Sequence, residues 1–374
     1  MSPRAATVRR FFRPTWAEID LSLLRDNLTR LRARVGRGVK LMFVVKANAY
    51  GHGSAACAKT AEQGGLADWL GVSSVEEGVA LREAGLKLPI LVLGSLYPFE
   101  SFLAAADYGL TPTVASSESA KRLLEAARTL RRRVSCHLKV ETGMGRIGVS
   151  PPAALAAARL LKSESLVRVQ GVYTHLSCAD GDAAFTRRQL RVFGLALEGL
   201  RRLGISPLLR HAANSAAALR YPRARFDMVR PGLALYGLWP GFSPILSLKT
   251  KLVFLKTVAR GTPISYGAAF RAKRRTRVAT LAIGYADGWS RANSDNGCVL
   301  VRGRRCPIIG RVTMDMTMID VTAVDGSRVG DEAVLIGEQG RERVSAGEVA
   351  RRLATIPYEV TTAISARVPR VYLP

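Results

Sequence analysis

From residue 16 to about residue 230 the chain alternates short apolar runs with amphipathic stretches, then abandons the pattern near Pro240-Gly241. This rhythm limits the folds open to it more than any other feature. Residues 16–21 read as a strand, and residues 23–35 carry Leu24, Leu28 and Leu31 at helical spacing. Apolar, partly β-branched runs recur at 41–45, 69–73, 89–93, 110–114, 134–140, 169–175, 208–211 and 228–230. Each reads as a buried strand. Between them lie helical patterns. Residues 54–63 close on Gly64-Gly65, and Ser74 with Glu77 has capping-box spacing before a helix that ends near Gly85. Residues 116–131 carry Ala120, Leu123, Leu124, Ala127 and Leu130 on one face. Residues 151–161 begin with proline, Leu190, Phe193, Leu197 and Leu200 stripe another helix, and residues 215–219 form a short one. Strands alternating with helices over about 200 residues suit a (β/α)8 TIM barrel, although periodicity alone also fits an open parallel sheet.

After Pro240-Gly241 the chain is strand-rich, with runs at 252–258, 278–283, 298–301, 307–309, 316–321 and 333–336. Turns fall at Asp325-Gly326 and 337–340. One helix intrudes where Ser345 and Glu348 have capping-box spacing. The expected organisation is a barrel domain over 15–240 and a mostly-β C-terminal domain over 241–374.

The formal charge of +27 comes from 56 basic against 29 acidic residues, much of it in arginine clusters such as 131–133 and 273–277. A basic surface can bind nucleic acid through phosphates. These clusters are short, dispersed and not interleaved with aromatics, so a solvated arginine-rich surface is the preferred reading and nucleic acid is not an expected partner. The five cysteines show no metal-ligand or redox spacing and read as reduced, intracellular thiols. Residues 1–14 form a basic lead (Arg4, Arg9, Arg10, Arg13) without a following apolar run, and no stretch approaches the length of a membrane span. A cytoplasmic protein without a membrane partner is expected.

The chemistry concentrates at strand ends. Lys46 follows the 41–45 strand and precedes a Gly/Asn-rich loop, Ala47-Asn48-Ala49-Tyr50-Gly51-His52-Gly53. An apolar surround lowers a lysine's pKa and makes its amine a nucleophile fit for a Schiff base with an aldehyde cofactor. A solvated lysine is the bland alternative. Arg146 sits on the glycine loop Glu141-Thr142-Gly143-Met144-Gly145, where a guanidinium fork grips a carboxylate or phenolate. Lys139 is unusual as a lysine inside a strand. Asn214-Ser215 opens a helix, a position that suits a phosphate or an ordinary N-cap.

Taken together, these segments closely resemble those of alanine racemases. The match covers residues 16 to 372 with every motif in order: 43–53, 139–148, 173–175, 211–215, 228–237, 264–267, 283–288, 310–315, 356–360 and 367–372. The resemblance implies pyridoxal 5'-phosphate (PLP) as cofactor, an N-terminal strand within about residues 1–21 that joins the β domain, a homodimer with shared active sites, and interconversion of L- and D-alanine for peptidoglycan. It implies that Lys46 carries PLP and is one catalytic base, with Tyr266 from the other subunit as the second. Tyr50, Arg146, His175, Asn214, Ser215, Arg230, Gly232, Leu233 and Tyr358 are the implied cofactor-binding residues. Arg230 faces the PLP ring nitrogen, and His175 supports the tyrosine. Arg146, Met314 and Asp315 are implied to contact substrate, Tyr285 to line the entrance, and Lys139 to be carbamylated as in several members. Thr313 departs from the cysteine usual there. The alternatives are a racemase for serine or another amino acid, a fold-related PLP-dependent decarboxylase, or a non-catalytic PLP carrier.

Overall fold

The computed structural model describes residues 12–374; the rest of the basic lead, with Arg4, Arg9 and Arg10, lies outside the described residues. Two compact units form. One comprises Leu24–Ala49 and Ser54–Leu235. The other gathers the described residues up to Leu23, Tyr50–Gly53 and Tyr236–Pro374.

The first unit is the barrel. Its strands are β2 (Lys40–Val44), β3 (Trp69–Val72), β4 (Ile90–Val92), β5 (Thr113–Val114), β6 (Val134–Lys139), β7 (Val167–Tyr173), β8 (Leu209–His211) and β9 (Met228–Val229), numbered after a preceding β1 (Thr15–Asp20). All their pairings are parallel, in the orders β4-β3-β2-β9 and β5-β6-β7-β8. A parallel bridge from Leu91 to Thr111 joins the two runs on one side. The Asp227 N–H to Arg210 carbonyl bond (3.0 Å) and the Arg230 N–H to Ala213 carbonyl bond (2.8 Å) close the other. The strands read as continuous apolar runs because parallel strands are covered on both faces; β3 is buried throughout. Met42, Trp69, Leu91, Tyr173, Leu209 and Met228 meet in one core cluster, each from a different strand or strand end. Each side chain of this kind contributes roughly 1.5–3 kcal/mol by burial.

Helices Leu21–Val35, Ser54–Gln63, Val75–Glu83, Ser117–Leu130, Pro151–Lys162, Ala183–Arg202 and Ser215–Arg220 stand where the apolar spacing predicts them. The helix Phe99–Asp107 was not anticipated. It starts after Pro98 without a side-chain cap bond, so the usual start signal is missing.

The second unit is mostly β. Its main sheet runs β15 (Arg304–Pro307), β14 (Cys298–Val301), β17 (Glu332–Gln339), β10 (Leu246–Val258), β1 and β19 (Arg370–Leu373). Beside it β18 (Glu342–Val344) pairs with β17, β16 (Thr317–Asp320) pairs with β13 (Thr276–Leu281), and β11 (Pro263–Ile264) with β12 (Phe270–Arg271) forms a separate pair. The N-terminal strand therefore joins this unit, antiparallel to β10 and parallel to β19. β10 is longer than its apolar pattern suggested. A bulge between Leu252 and Phe254 lets its second half pair with β13. Among the described residues no helix is long and apolar enough to cross a membrane.

Candidate active site

Lys46 follows β2 at its carboxyl end, the end at which barrel enzymes place their chemistry. After it comes a turn of left-handed backbone: Ala47, Asn48, Ala49 and Tyr50 all have φ between 51° and 55°. Such a conformation costs about 1–2 kcal/mol per non-glycine residue. Three contacts hold it. The Glu77 carboxylate accepts the Ala47 N–H (2.6 Å) and the Ser73 N–H (2.7 Å). Asn48 Oδ1 accepts the Ser54 N–H (2.9 Å), and the Ala49 N–H donates to the Val45 carbonyl (2.8 Å). The expected capping box at Ser74 is therefore half formed. Ser74 accepts the Glu77 N–H, but the Glu77 side chain serves the lysine turn instead. Burial lowers the Lys46 pKa and nearby Arg146 lowers it further, while Glu77 opposes both.

Around Lys46 the barrel collects cations. Lys139, at the end of β6, is buried and pushed down to about 8 by desolvation and then by Arg146, Arg230 and Lys46. Arg146 is exposed on a loop that Glu141 shapes: its carboxylate accepts the N–H groups of Gly143, Met144 and Gly145. His175 is held well below its ordinary pKa by burial and by Arg230, Arg146, Lys139 and Lys46, so its imidazole is neutral. Its carbonyl accepts from buried Gln189, which also binds Ser177 and so fixes the loop after β7.

Arg230 is buried and lowered to about 10, still a cation at neutral pH. It donates to the Thr174 carbonyl (2.6 Å), the Ala212 carbonyl (3.1 Å) and His211 Nδ1 (2.8 Å). Ser215 Oγ accepts the Gly232 N–H (3.1 Å) and the Ala234 N–H (3.2 Å), fixing the 231–234 loop against the start of the Ser215 helix. Asn214 is that helix's N-cap: its Oδ1 accepts the Ala217 N–H, and its Nδ2 donates to the Leu176 carbonyl.

The β unit holds the remaining predicted residues. Tyr266 is 71% exposed and follows Ser265, whose φ is +66° and whose hydroxyl is tied to the Arg311 carbonyl. Tyr285 and Met314 are also exposed. Gly284 approaches the 313–314 backbone so closely that an added Cβ would lie 2.2 Å from the Thr313 carbonyl oxygen, and the Tyr285 N–H donates to that oxygen. Thr313 closes its own turn through its hydroxyl, bonded to both the carbonyl and the N–H of Met316. Asp315 pairs with Arg367 at 2.7 Å. Tyr50 packs on Tyr236 (ring centroids 4.9 Å apart) and edge-on to Tyr358 (6.3 Å). Gly51 and Gly53 permit this placement. A Cβ on Gly51 would meet the Thr361 carbonyl oxygen at 2.1 Å, and one on Gly53 the Tyr372 hydroxyl at 1.9 Å. A cavity of about 530 Å³ in this unit, lined by Trp239, Phe242, Arg343 and Pro357 among others, contains no predicted site residue.

Glu77, Glu141, Gln189, His137 and His211 were not predicted as site residues. Glu77 carried a signal, its spacing from Ser74, that pointed to a different partner. Glu141 acts within its own loop, whereas Gln189, His137 and His211 act through contacts more distant in sequence.

The family models for the alanine racemase N-terminal domain and C-terminal domain match residues 19–240 and 245–372. An alanine racemase from Halothermothrix orenii is 46% identical over 373 residues, covering 97% of this chain and 98% of that protein. One from Symbiobacterium thermophilum is 46% identical, covering 96% and 97%. Among solved structures, alanine racemase from Bacillus anthracis with bound L-Ala-P superposes with a TM-score of 0.91 at 38% identity, covering 98% and 96%. The enzyme from D-cycloserine-producing Streptomyces lavendulae gives 0.91 at 37%, covering 98% of each.

Proposed function

The chain belongs to the alanine racemase family, an isomerase family, and from that premise we propose the residues with which it interconverts L-alanine and D-alanine. The carrying observation is a half-buried, pKa-lowered Lys46 at a strand end of the same barrel unit that holds the buried cation Arg230. PLP is the cofactor of this reading. The donor set fits it. The guanidinium of Arg230 has five N–H donors, and three go to the acceptors described above, leaving donors for a ring nitrogen. Lys46 would hold the cofactor covalently. Tyr50, Ser215, Gly232, Leu233 and Tyr358 would hold its phosphate, and Arg146 its phenolic oxygen, with Asn214 and His175 beside them. When bound, the cofactor draws electron density from the substrate and acidifies its Cα–H.

Arg230 cannot give up a proton near neutral pH, so it leaves a facing ring nitrogen unprotonated and limits how much charge that ring accepts. That favours prompt return of a proton to Cα over side reactions. The Lys46 amine moves the proton on one face, and Tyr266 from a second copy of the chain moves it on the other. Neutral His175 supports that tyrosine. Arg146, Met314 and Asp315 orient the amino-acid carboxylate, and Tyr285 borders the entrance. Lys139 is a carbamylation site in this reading: its depressed pKa supplies neutral amine, and a carbamate would place negative charge among Arg146, Arg230 and Lys46. The barrel and β domains divide at 240/241, the protein is a homodimer, and the reaction takes place in the cytoplasm and supplies peptidoglycan D-alanine.

The test is a chiral assay of purified protein with PLP, offering L-alanine, L-serine and L-lysine separately. D-Alanine should appear fastest. Faster turnover of serine or lysine would move the substrate, and release of carbon dioxide without racemisation would replace the reading with a decarboxylase.

A further inference from the structure

We propose that His137 is a positioning residue for racemisation, acting through His211 to fix the direction of Arg230. The proposal rests on the reading of Arg230 as the group that faces the cofactor ring. A buried chain of hydrogen bonds runs from Arg230 Nη1 to His211 Nδ1 (2.8 Å) and from His211 Nε2 to His137 Nδ1 (2.9 Å). Its polarity follows from chemistry. A guanidinium only donates, so His211 Nδ1 accepts and carries no hydrogen. A neutral His211 then bears its proton on Nε2 and donates it to His137 Nδ1. His137 in turn bears its proton on Nε2, and that atom is buried with no hydrogen-bond partner among the described residues. Both rings lie fully buried next to a cation, which keeps them neutral.

The fold makes room for this ring. The β6–β7 register shifts between Cys136 and His137, with Gln170 as the extra residue on β7, so His137 stands opposite Gly171. A Cβ at 171 would come within 2.6 Å of the imidazole. The charged and titratable groups around the chain are Arg230, Tyr173 and Lys139. Tyr173 stacks on His211 at 4.8 Å and 3°, and the Lys139 amine lies 5.3 Å from the Tyr173 ring centroid. Stacking fixes the plane of His211 but permits a half-turn of the ring. After a half-turn Arg230 would meet a C–H. The His137 acceptor selects the rotamer and tautomer in which Arg230 finds a lone pair. Arg230 is then tied at three acceptors, and its remaining donors have one direction.

Two measurements test this. Two-bond proton–nitrogen correlation spectra of the histidine rings in the PLP-loaded protein should show His137 and His211 neutral and protonated at Nε2. A proton on His211 Nδ1, or a cationic ring at neutral pH, overturns the chain. Separately, His137→Leu removes the acceptor, whereas His137→Asn places a carbonyl oxygen near the position of Nδ1. His137→Leu should lower kcat about tenfold or more with little change in KM, because misdirected groups act on the rate. It should also shift the visible absorption band, and His137→Asn should recover most of both. Wild-type kcat and spectrum in His137→Leu, or no recovery in His137→Asn, overturns the role. Should His137→Leu fail to fold, the wild-type spectra and His137→Asn decide, since the role requires near-wild-type kcat and absorption in His137→Asn. A wild type without racemase activity would remove the functional reading and this role with it; an active wild type with the wrong tautomer removes the chain alone.

Discussion

Lys139 carries a poorly compensated charge in the barrel. It is buried, and Glu141 alone opposes the push of desolvation, Arg146, Arg230 and Lys46. Its folded pKa of about 8 lies below the 10.5 of the free side chain, so the unfolded chain binds this proton more tightly. A bare Lys139 therefore destabilises the fold fully below pH 8, and the penalty fades as pH rises towards 10.5. Lys139→Met is expected to raise stability by about 1–2 kcal/mol at pH 7 in carbon-dioxide-free buffer, with the gain shrinking by pH 10. Thermal melts at both pH values check it. In bicarbonate the same substitution should instead lower stability, because it deletes the carbamate. At the two proposed bases the expectations differ. Lys46→Ala should abolish the visible absorbance of bound cofactor together with activity. Tyr266→Phe should keep the absorbance and lose racemisation by a factor of about 100 or more. Full absorbance in the first, or undiminished turnover in the second, would remove the assignment. Lys46 stood out in the sequence as a lysine at a strand end, whereas Tyr266, a tyrosine before glycine that says little by itself, stood out only through the resemblance. His137 did not, since its role depends on His211, 74 residues away, and on the gap left by Gly171.

At the scale of elements, the lysine turn depends on a small number of side-chain contacts. Its four residues of left-handed backbone are held by Glu77, which accepts the Ala47 N–H, and by Asn48, whose side chain accepts the N–H of Ser54 just after the turn. Glu77→Ala removes the acceptor for Ala47 and Ser73 and should cost about 1–3 kcal/mol in stability. It should also lower kcat, because Lys46 loses its fixed neighbour. A normal kcat with intact stability would show that the turn holds without Glu77. Most elements were legible in the sequence for a physical reason: strands covered on both faces and helices with one apolar stripe leave periods that composition cannot hide. The helix Phe99–Asp107 was not, lacking a capping side chain, and neither was β19, whose pairing with β1 depends on residues more than 350 positions away. The apolar pattern marks only the second half of β10, because the first half, which pairs with β1 and β17, alternates apolar with polar residues.

At the scale of the whole molecule, the two-base reading demands two copies of the chain. Lys46 lies in the barrel unit and Tyr266, exposed, in the β unit, and the proposed site takes one from each copy. This has a quantitative consequence. A dimer of Lys46→Ala with Tyr266→Phe contains one site with both defects and one site with neither. Unfolding and refolding an equal mixture of the two variants should make about half of all dimers mixed, each with one intact site of two, and so recover about a quarter of wild-type activity. Each variant refolded alone should recover almost none. If each copy built its site from its own Lys46 and Tyr266, every site in the mixture would carry one defect and activity would stay at the level of the single variants. The charge of +27 makes the experiment sensitive to salt, because two strongly basic chains repel at low ionic strength. Recovered activity should therefore rise with salt between about 0.01 and 0.15 M, where the screening length shortens from about 30 to 8 Å. Activity that is independent of salt over that range would place the excess arginines away from the surfaces that meet.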